Sequence, residues 1–251
     1  MSDLPVPSRR ARLPRPELPV PLMLAALAPL VLPQVVMARR FSRTLPEPAG
    51  PRAGRTGEGP PLRLLVAGDS SAAGVGVAWQ DQALTGRLVR RLARRFAVDW
   101  RLEAKSGLTT KGLIRRLEGV GPARFDAVVL GVGVNDVTKG VPRPLFLRHQ
   151  AALRALLRER FGARAIYVTA LPPLGEFPLL ARPLRNMVGL HARRFDRALR
   201  RDLMGVEDAR RVPFDLSMDA GLMSADGFHP GPVIYETWAE RVERAILGDF
   251  A

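Results

Sequence analysis

The feature that most constrains the fold is the alternation of short apolar runs with amphipathic stretches between residues 62 and 247. Apolar runs of this length, bounded by glycine or small polar residues, are typical of buried strands. Strands are predicted at Leu62–Ala67, Val98–Ala104, Phe125–Val132, Ala163–Ala170 and Arg211–Leu216. Helices are predicted at Trp79–Phe96, Leu145–Arg158, Met187–Leu203 and Pro232–Leu247. Strands that alternate with helices predict βαβ units and a parallel sheet covered on both faces.

The N-terminal part of the chain does not follow this alternation. Residues 18–38 carry no charged side chain, and arginines flank the run on both sides. About 20 apolar residues suffice to cross a bilayer, although Pro29 and Pro33 would each remove a backbone hydrogen bond inside it. An uncleaved anchor, a secretory signal and a segment packed on the domain are the alternatives. No clear A-x-A cleavage site precedes Arg39, which argues against a secretory signal, and we favour membrane association. Because arginines flank both ends of the run, they do not indicate on which side of the membrane the domain lies.

Composition divides the chain into three parts. Residues 1–43 are the basic and hydrophobic N-terminal segment, a possible membrane anchor. If this segment does not anchor the chain, we expect a cytoplasmic protein. Residues 44–61 are rich in proline, glycine and arginine, which is typical of a linker. Residues 62–251 form the predicted α/β domain.

The charge balance of the chain is strongly basic, with a formal net charge of +15. Much of this charge comes from arginine pairs such as Arg90–Arg91 and Arg193–Arg194, which recur at helical spacing opposite apolar residues. We interpret them as solvated helix faces and expect no nucleic acid partner, because few aromatic residues interleave with them. The chain has no cysteine, which excludes disulfides, thiol nucleophiles and thiolate metal sites.

Polar residues follow three of the predicted strands and precede the last helix. They are Gly68-Asp69-Ser70-Ser71, Ser106-Gly107, Gly133-Val134-Asn135-Asp136 and Asp226-Gly227-Phe228-His229. Because ligands bind beyond the carboxyl ends of parallel strands, we expect these residues to meet at one edge of the sheet. Together they supply the groups that an acyl-transfer site needs.

Each group has a role in that chemistry. The hydroxyl of Ser70 needs a neighbouring base to become nucleophilic, and His229 is the natural base. Asp226 precedes His229 by three residues and could hold its ring in the right tautomer. The backbone N–H groups of Ser70 and Gly107 and the side-chain amide of Asn135 are candidate donors to an oxyanion.

The four blocks resemble those of the SGNH (GDSL-type) serine hydrolases in order and in spacing, over roughly residues 62–247. The resemblance implies a flavodoxin-like three-layer α/β/α sandwich with a mostly parallel five-stranded sheet. It also implies an esterase or lipase that acts on a small-molecule or lipid ester, without cofactor or metal ion. Its residue assignments are Ser70 as nucleophile, His229 as base, Asp226 as the orienting acid, and Ser70, Gly107 and Asn135 as oxyanion donors.

The chain departs from the family pattern at Lys105, where an asparagine usually stands two residues before the glycine of the second block. This departure concerns the block that supplies Gly107. Gly231 also stands where family members more often have a small polar residue. The apolar stretch after the fourth predicted strand, with Leu171, Pro172 and Phe177, either lines an acyl pocket or covers the domain.

Less specific interpretations of these residues, and of the whole chain, also exist. Ser70 could simply cap a helix, and Ser71 is a rival hydroxyl that we expect to hold the turn. His149 and His191 fall in predicted helices among arginines, and we interpret both as surface residues. A metal-dependent phosphoesterase and a non-catalytic basic protein that binds membranes or nucleic acid are the alternative functions.

Overall fold

A computed structural model describes residues 29, 33–34, 45–121 and 123–250. The hydrophobic run at 18–38 lies outside the described residues except for Pro29, Pro33 and Gln34, so its anchoring role stays a prediction. In the part of the chain that is described, no helix has both the length and the apolar character needed to cross a membrane.

A six-stranded sheet forms the centre of the molecule. Its strands are β1 (Ala53–Thr56), β2 (Pro61–Gly68), β3 (Ala97–Ala104), β4 (Ala127–Gly131), β5 (Ala165–Thr169) and β6 (Ala209–Val212). They lie in the order β1-β3-β2-β4-β5-β6, and only β1 runs antiparallel to its neighbour. Without the edge strand β1 this is the flavodoxin-like order, in which the sheet changes winding direction beside the first parallel strand.

Helices cover both faces of this sheet. They are α1 (Ser70–Ala73), α2 (Leu84–Leu92), α3 (Thr110–Glu118), α4 (Val134–Thr138), α5 (Arg143–Phe161), α6 (Leu184–Asp202) and α7 (Pro232–Phe250). Short 3-10 turns lie at Gln80–Gln82 and Leu174–Glu176. Helices α2 and α7 pack together on one face, whereas α3, α5 and α6 pack on the other. The predicted three-layer α/β/α fold with a mostly parallel sheet is confirmed, with six strands in place of five.

The central strands are buried on both faces of the sheet. Every residue of β4 and of β5 is buried, and their sequences are continuous apolar runs instead of alternating patterns. Such runs are typical of parallel strands that have helices above and below them. The last predicted strand begins two residues earlier and ends four residues earlier than expected, at Ala209–Val212, and Pro213 follows it with no N–H to continue the ladder.

Strand β1 lies inside the segment that composition predicts to be a linker. All four of its residues are exposed, so the strand has no buried face that a hydrophobic pattern could reveal. The following turn needs Gly57, whose φ is +87°, because a Cβ there would lie 2.4 Å from the carbonyl oxygen of Phe96. The glycines of this segment therefore let the chain turn closely past the end of α2.

The largest differences from the predicted helices are at α2 and α3. The helix expected from Trp79 is divided at Ala83, whose backbone is extended, into a 3-10 turn and α2. Helix α3 was not predicted, although Thr109 caps it by accepting a hydrogen bond from the N–H of Gly112. Some of the arginine pairs also do more than face solvent, since Arg91 bridges α2 to Glu236 and Glu243 of α7.

Candidate active site

Ser70 lies where β2 gives way to α1, at the middle of the sheet. Asp69 caps the helix, because its side chain accepts a hydrogen bond from the N–H of Ser71 at 3.1 Å. The approach to this turn requires Gly68, since a Cβ there would lie 2.1 Å from the carbonyl oxygen of Gly131 on β4. The tight turn leaves Ser70 as the first residue of the helix, with its side chain at the carboxyl end of the sheet.

The imidazole of His229 joins Ser70 to Asp226. Its Nε2 lies 3.0 Å from the Ser70 hydroxyl oxygen, and its Nδ1 lies 2.6 Å from Oδ2 of Asp226. The sequence predicts that these three residues meet. The fold brings His229 to Ser70 although 159 positions separate them in the chain. A carboxylate on Nδ1 holds the hydrogen on that nitrogen and leaves the lone pair of Nε2 for the serine hydroxyl.

The loop before α7 fixes Asp226 rigidly. Its Oδ1 accepts hydrogen bonds from the Ser224 hydroxyl at 2.7 Å and from the N–H groups of Phe228 and His229 at 2.9 and 3.0 Å. Burial by itself raises the pKa of this carboxyl, but the hydrogen bonds from His229, Ser224 and Phe228 outweigh burial and lower the pKa below its ordinary value. Asp226 is therefore an anion throughout the neutral range.

A second buried carboxyl, that of Asp69, connects the loops after β2 and β4. It is 2% exposed, and its oxygens accept hydrogen bonds from the N–H groups of Ser71 and Gly133. Burial raises the pKa of Asp69 from its ordinary 3.8 to about 7, even though these two N–H groups and the charge of His229 favour the anion. Gly133 has a φ of +139°, which permits the turn that presents its N–H.

Besides Ser70 itself, the candidate oxyanion donors are Asn135 at the start of α4 and Gly107 in the loop after β3. The amide of Asn135 donates one hydrogen to the carbonyl oxygen of Leu108 at 3.1 Å, which orients the amide and leaves its second hydrogen available. Next to it, Asp136 accepts hydrogen bonds from the N–H and hydroxyl of Thr110 at 2.8 and 3.0 Å. Burial raises the pKa of Asp136 despite these bonds. Asp136 thus connects the start of α4 to the first residue of α3.

Gly107 lies in an exposed loop with a φ of +80°. Lys139 donates from Nζ to the carbonyl oxygen of Gly107 at 2.7 Å, and Glu47 accepts from the N–H of Ser106 at 2.7 Å. Glu47 is in turn paired with Arg52 at 3.0 Å. Two charged side chains from distant parts of the chain therefore hold this loop, in which the side chain of Lys105 is exposed.

A mostly apolar cavity opens beside Ser70. Leu171, Pro172 and Phe177, the three predicted substrate-contacting residues, all line it. Sequence reasoning missed other members of the wall, which are Val132, Val134, Thr169, Ala170, Phe214, Met218, Met223, Pro230 and Trp238. Phe214 follows β6, so the rule that ligands bind after strand ends could have found it. No local signal marks Met218, Met223 or Trp238.

The remaining sequence-based interpretations have mixed outcomes. Ser71 helps to hold the turn, since its carbonyl oxygen accepts from the Tyr235 hydroxyl at 3.0 Å. His149 and His191 were expected on the surface, but both are partly buried. His191 packs on Phe195 with ring centroids 4.6 Å apart, and burial lowers its pKa. Among the described residues, no group of three or more metal-ligating side chains is placed to hold an ion.

The fold and the grouping of a serine, a histidine and an aspartate at the carboxyl end of its sheet match the pattern of the α/β/α serine hydrolases. The chain belongs to the GDSL-like lipase/acylhydrolase family, whose model matches residues 66–237. The expected family is confirmed.

Individual relatives agree with this family. The chain is 29% identical over 201 residues to the GDSL-like esterase Rv1075c of Mycobacterium tuberculosis, covering 74% of this chain and 62% of the relative. The chain therefore spans about six tenths of the length of this curated relative.

Solved structures share the fold at low sequence identity. The crystal structure of TesA is similar with a TM-score of 0.58 and 24% identity, over 73% of this chain and 97% of that one. The psychrotrophic esterase EstA from Pseudoalteromonas sp., described as inhibited by monoethylphosphonate, is similar with a TM-score of 0.57 and 19% identity. That match covers 74% of this chain and 97% of EstA.

Proposed function

We propose that the protein hydrolyses carboxylic esters through an acyl-serine intermediate on Ser70. The observation that carries this proposal is the hydrogen-bonded series from the Ser70 hydroxyl through His229 to Asp226, with distances of 3.0 and 2.6 Å. A serine hydroxyl next to a base whose ring is held by a carboxylate is the arrangement required for nucleophilic catalysis.

The reaction runs in two steps. Nε2 of His229 accepts the hydroxyl proton as Ser70 Oγ bonds to the ester carbonyl carbon, and the imidazolium then gives this proton to the leaving alcohol as the ester C–O bond breaks. In the second step His229 removes a proton from water, which attacks the acyl carbon and releases the acid as Ser70 recovers its proton. Asp226 stays ionised and stabilises the imidazolium in both steps.

The developing oxyanion receives fixed donors in this proposal. Ser70 N–H stands at the start of α1, the amide of Asn135 is oriented by its bond to Leu108, and Gly107 lies in the loop held by Lys139 and Glu47. Donors that are already in place need no reorganisation when charge appears on the oxygen, which is why they lower the barrier.

The comparisons support this choice of chemistry. The curated relative is named an esterase, and EstA is described as an esterase inhibited by a phosphonate. A phosphonate that occupies an esterase site is the kind of ligand expected of a serine nucleophile with an oxyanion site. The substrate that we propose is a small-molecule or lipid ester, with attachment of residues 18–38 to a membrane as a further part of the proposal.

The proposal is tested by labelling with a fluorophosphonate and by hydrolysis of p-nitrophenyl butyrate. We expect one label per chain on Ser70, and loss of both labelling and hydrolysis in Ser70→Ala. Ser71→Ala is the matched control. Ser71 lies in the same turn as Ser70, but it is the hydroxyl of Ser70 that bonds His229 in the described part of the chain. Hydrolysis that survives Ser70→Ala, or that a metal chelator abolishes in the wild type, would contradict the proposal and favour the metal-dependent alternative.

A further inference from the structure

Gln34, which belongs to the hydrophobic N-terminal run, contacts the α/β domain far along the chain. Its Nε2 donates to the carbonyl oxygen of Arg182 at 2.7 Å, and its Oε1 accepts from the N–H of Leu184 at 3.2 Å. These partners lie 148 and 150 positions further along the chain, on either side of Pro183. Because the amide uses both a donor and its acceptor on one short stretch of backbone, the contact fixes its orientation as well as its position.

The hydrogen bond to Leu184 satisfies a group that α6 itself leaves open. Leu184 is the first residue of this helix, and the N–H groups of a first helical turn have no acceptor within the helix. Pro183, the residue before it, makes no capping hydrogen bond through its side chain. Leu184 is buried, and a buried backbone N–H needs a partner. Gln34 therefore caps α6 from a distant segment of the chain.

The loop at 178–183, which leads into α6, also contacts the loop before α7. Nη2 of Arg185, in the first turn of α6, donates to the carbonyl oxygen of Pro178 at 3.1 Å and holds the start of this loop. The N–H of Leu179 donates to the carbonyl oxygen of Gly227 at 3.1 Å. Gly227 lies between the proposed acid and base of the active site. The surface that Gln34 contacts is therefore joined directly to the loop that carries those two groups.

We propose that the 178–183 loop and the start of α6 form a docking surface for the chain's own hydrophobic segment at 18–38, with Gln34 as the contact that fixes its position. Gln34 carries the one polar side chain of this run. In hydrocarbon its amide would lack partners at a high free-energy cost, whereas the docking surface supplies one for its donor and one for its acceptor. The proposal leaves membrane attachment to the residues before Gln34, and it does not depend on the proposed ester hydrolysis.

The test uses introduced cysteines, since the chain has none of its own. In the full-length protein, Pro33→Cys with Arg182→Cys places one thiol beside Gln34 and one on the docking surface, both at exposed positions. The matched pair is Pro33→Cys with Met204→Cys, at a residue that is 68% exposed and lies beyond the far end of α6. The 19 residues of α6 separate the two sites on the domain by about 28 Å. A short bis-maleimide cross-links each pair in detergent micelles and in vesicles of phosphatidylcholine and phosphatidylglycerol.

We expect the first pair to cross-link within one chain roughly tenfold faster than the matched pair in both media, because docking raises the effective concentration of one thiol near the other. Both pairs share Pro33→Cys, so any effect of that substitution cancels in the ratio. Adding Gln34→Ala should slow the first pair several-fold, whereas Gln82→Ala, at an exposed glutamine of the domain, should leave its rate unchanged.

Three outcomes would overturn the docking contact. Equal rates for the two pairs would mean that the segment is a free tether, and an unchanged rate in Gln34→Ala would mean that Gln34 does not fix its position. A preference that is present in micelles and lost in vesicles would mean that the bilayer holds the segment away from the domain. Flotation of the full-length protein with the same vesicles measures membrane attachment separately, and fluorophosphonate labelling of Ser70 does the same for the proposed hydrolysis.

Discussion

Lys139 Nζ donates to the carbonyl oxygen of Gly107 across 2.7 Å and thereby joins the loop after β3 to the end of α4. The same helix carries Asn135, whose amide contacts Leu108 in that loop. Asn135 of α4 and Lys139, the residue after this helix, thus hold together the two segments that carry the candidate donors Asn135 and Gly107. Contacts from Lys139 and Glu47 hold the loop in which Lys105 and Gly107 lie.

Removing the ammonium group should loosen the loop without removing a donor. We expect Lys139→Ala to lower kcat on a p-nitrophenyl ester by about tenfold, less than the 10²- to 10³-fold typical of losing an oxyanion donor outright, with KM nearly unchanged. Lys111→Ala is the matched control, since Lys111 is an exposed lysine of α3. Equal kcat values for the two variants would show that the Lys139 contact does not serve the reaction.

Removing the amide of Asn135 should lower kcat more than removing the ammonium group of Lys139. We expect Asn135→Ala to lower kcat by roughly 10²- to 10³-fold, because a donor that acts on the transition-state oxygen affects kcat more than KM. Asn186→Ala, which changes an exposed asparagine of α6, should retain wild-type kinetics. A rise in KM at constant kcat would instead assign Asn135 to substrate binding.

Replacing the acid should impair His229 without removing it. A serine protease of known mechanism loses about 10⁴-fold in kcat when the equivalent aspartate becomes asparagine, because the imidazole adopts the wrong tautomer. We expect Asp226→Asn to lower kcat by a comparable ~10³- to 10⁴-fold. Asp219→Asn, on an exposed aspartate earlier in the same segment, is the control. Near-normal activity of Asp226→Asn would mean that another group holds the ring.

The titration of Asp226 should also make the stability of the protein depend on pH, and the same variant tests this. Because the folded pKa of Asp226 lies below its ordinary 3.8, the carboxylate stabilises the folded protein above that pH and loses this contribution as the pH falls through the folded pKa. The difference in the free energy of unfolding between wild type and Asp226→Asn should therefore shrink on acidification below about pH 4. Urea unfolding at pH 3 to 7 measures it, and a difference that grows at acid pH would contradict the assignment.

The contribution of Asp69 to stability should change with pH in the opposite direction. In the folded protein the pKa of Asp69 is raised to about 7. Between pH 3.8 and about 7 its carboxyl is therefore protonated in the folded state and ionised in the unfolded chain. The stabilisation from this group is fully present below its unfolded pKa of 3.8 and is lost as the pH rises from 3.8 to about 7. Asp69→Asn removes the titration, so the stability of the wild type relative to this variant should fall from pH 4 to pH 8. Chemical denaturation at both pH values checks this sign.

The sequence determined the alternation of elements and the chemistry of the central site. The apolar runs of β4 and β5 are continuous because helices cover both faces, and that pattern is local. Ser70, Asn135 and His229 could be identified because each follows a strand end or lies in a short polar motif. The parallel sheet then brings such positions to a common edge. Strand β1 escaped prediction because all of its residues are exposed and it has no apolar period.

Only the tertiary structure decided what surrounds those residues. The contact of Lys139 with Gly107 joins positions 32 apart, that of Glu47 with Ser106 joins positions 59 apart, and that of Trp238 with Thr169 joins positions 69 apart. Nothing in the neighbouring sequence marks either partner, because a hydrogen bond between distant segments leaves no periodicity in either one. The apolar cavity likewise exists only where Met218, Phe214 and Trp238 meet. Local pattern therefore identified the reacting groups, whereas the packing of distant segments formed the pocket and the supports around them.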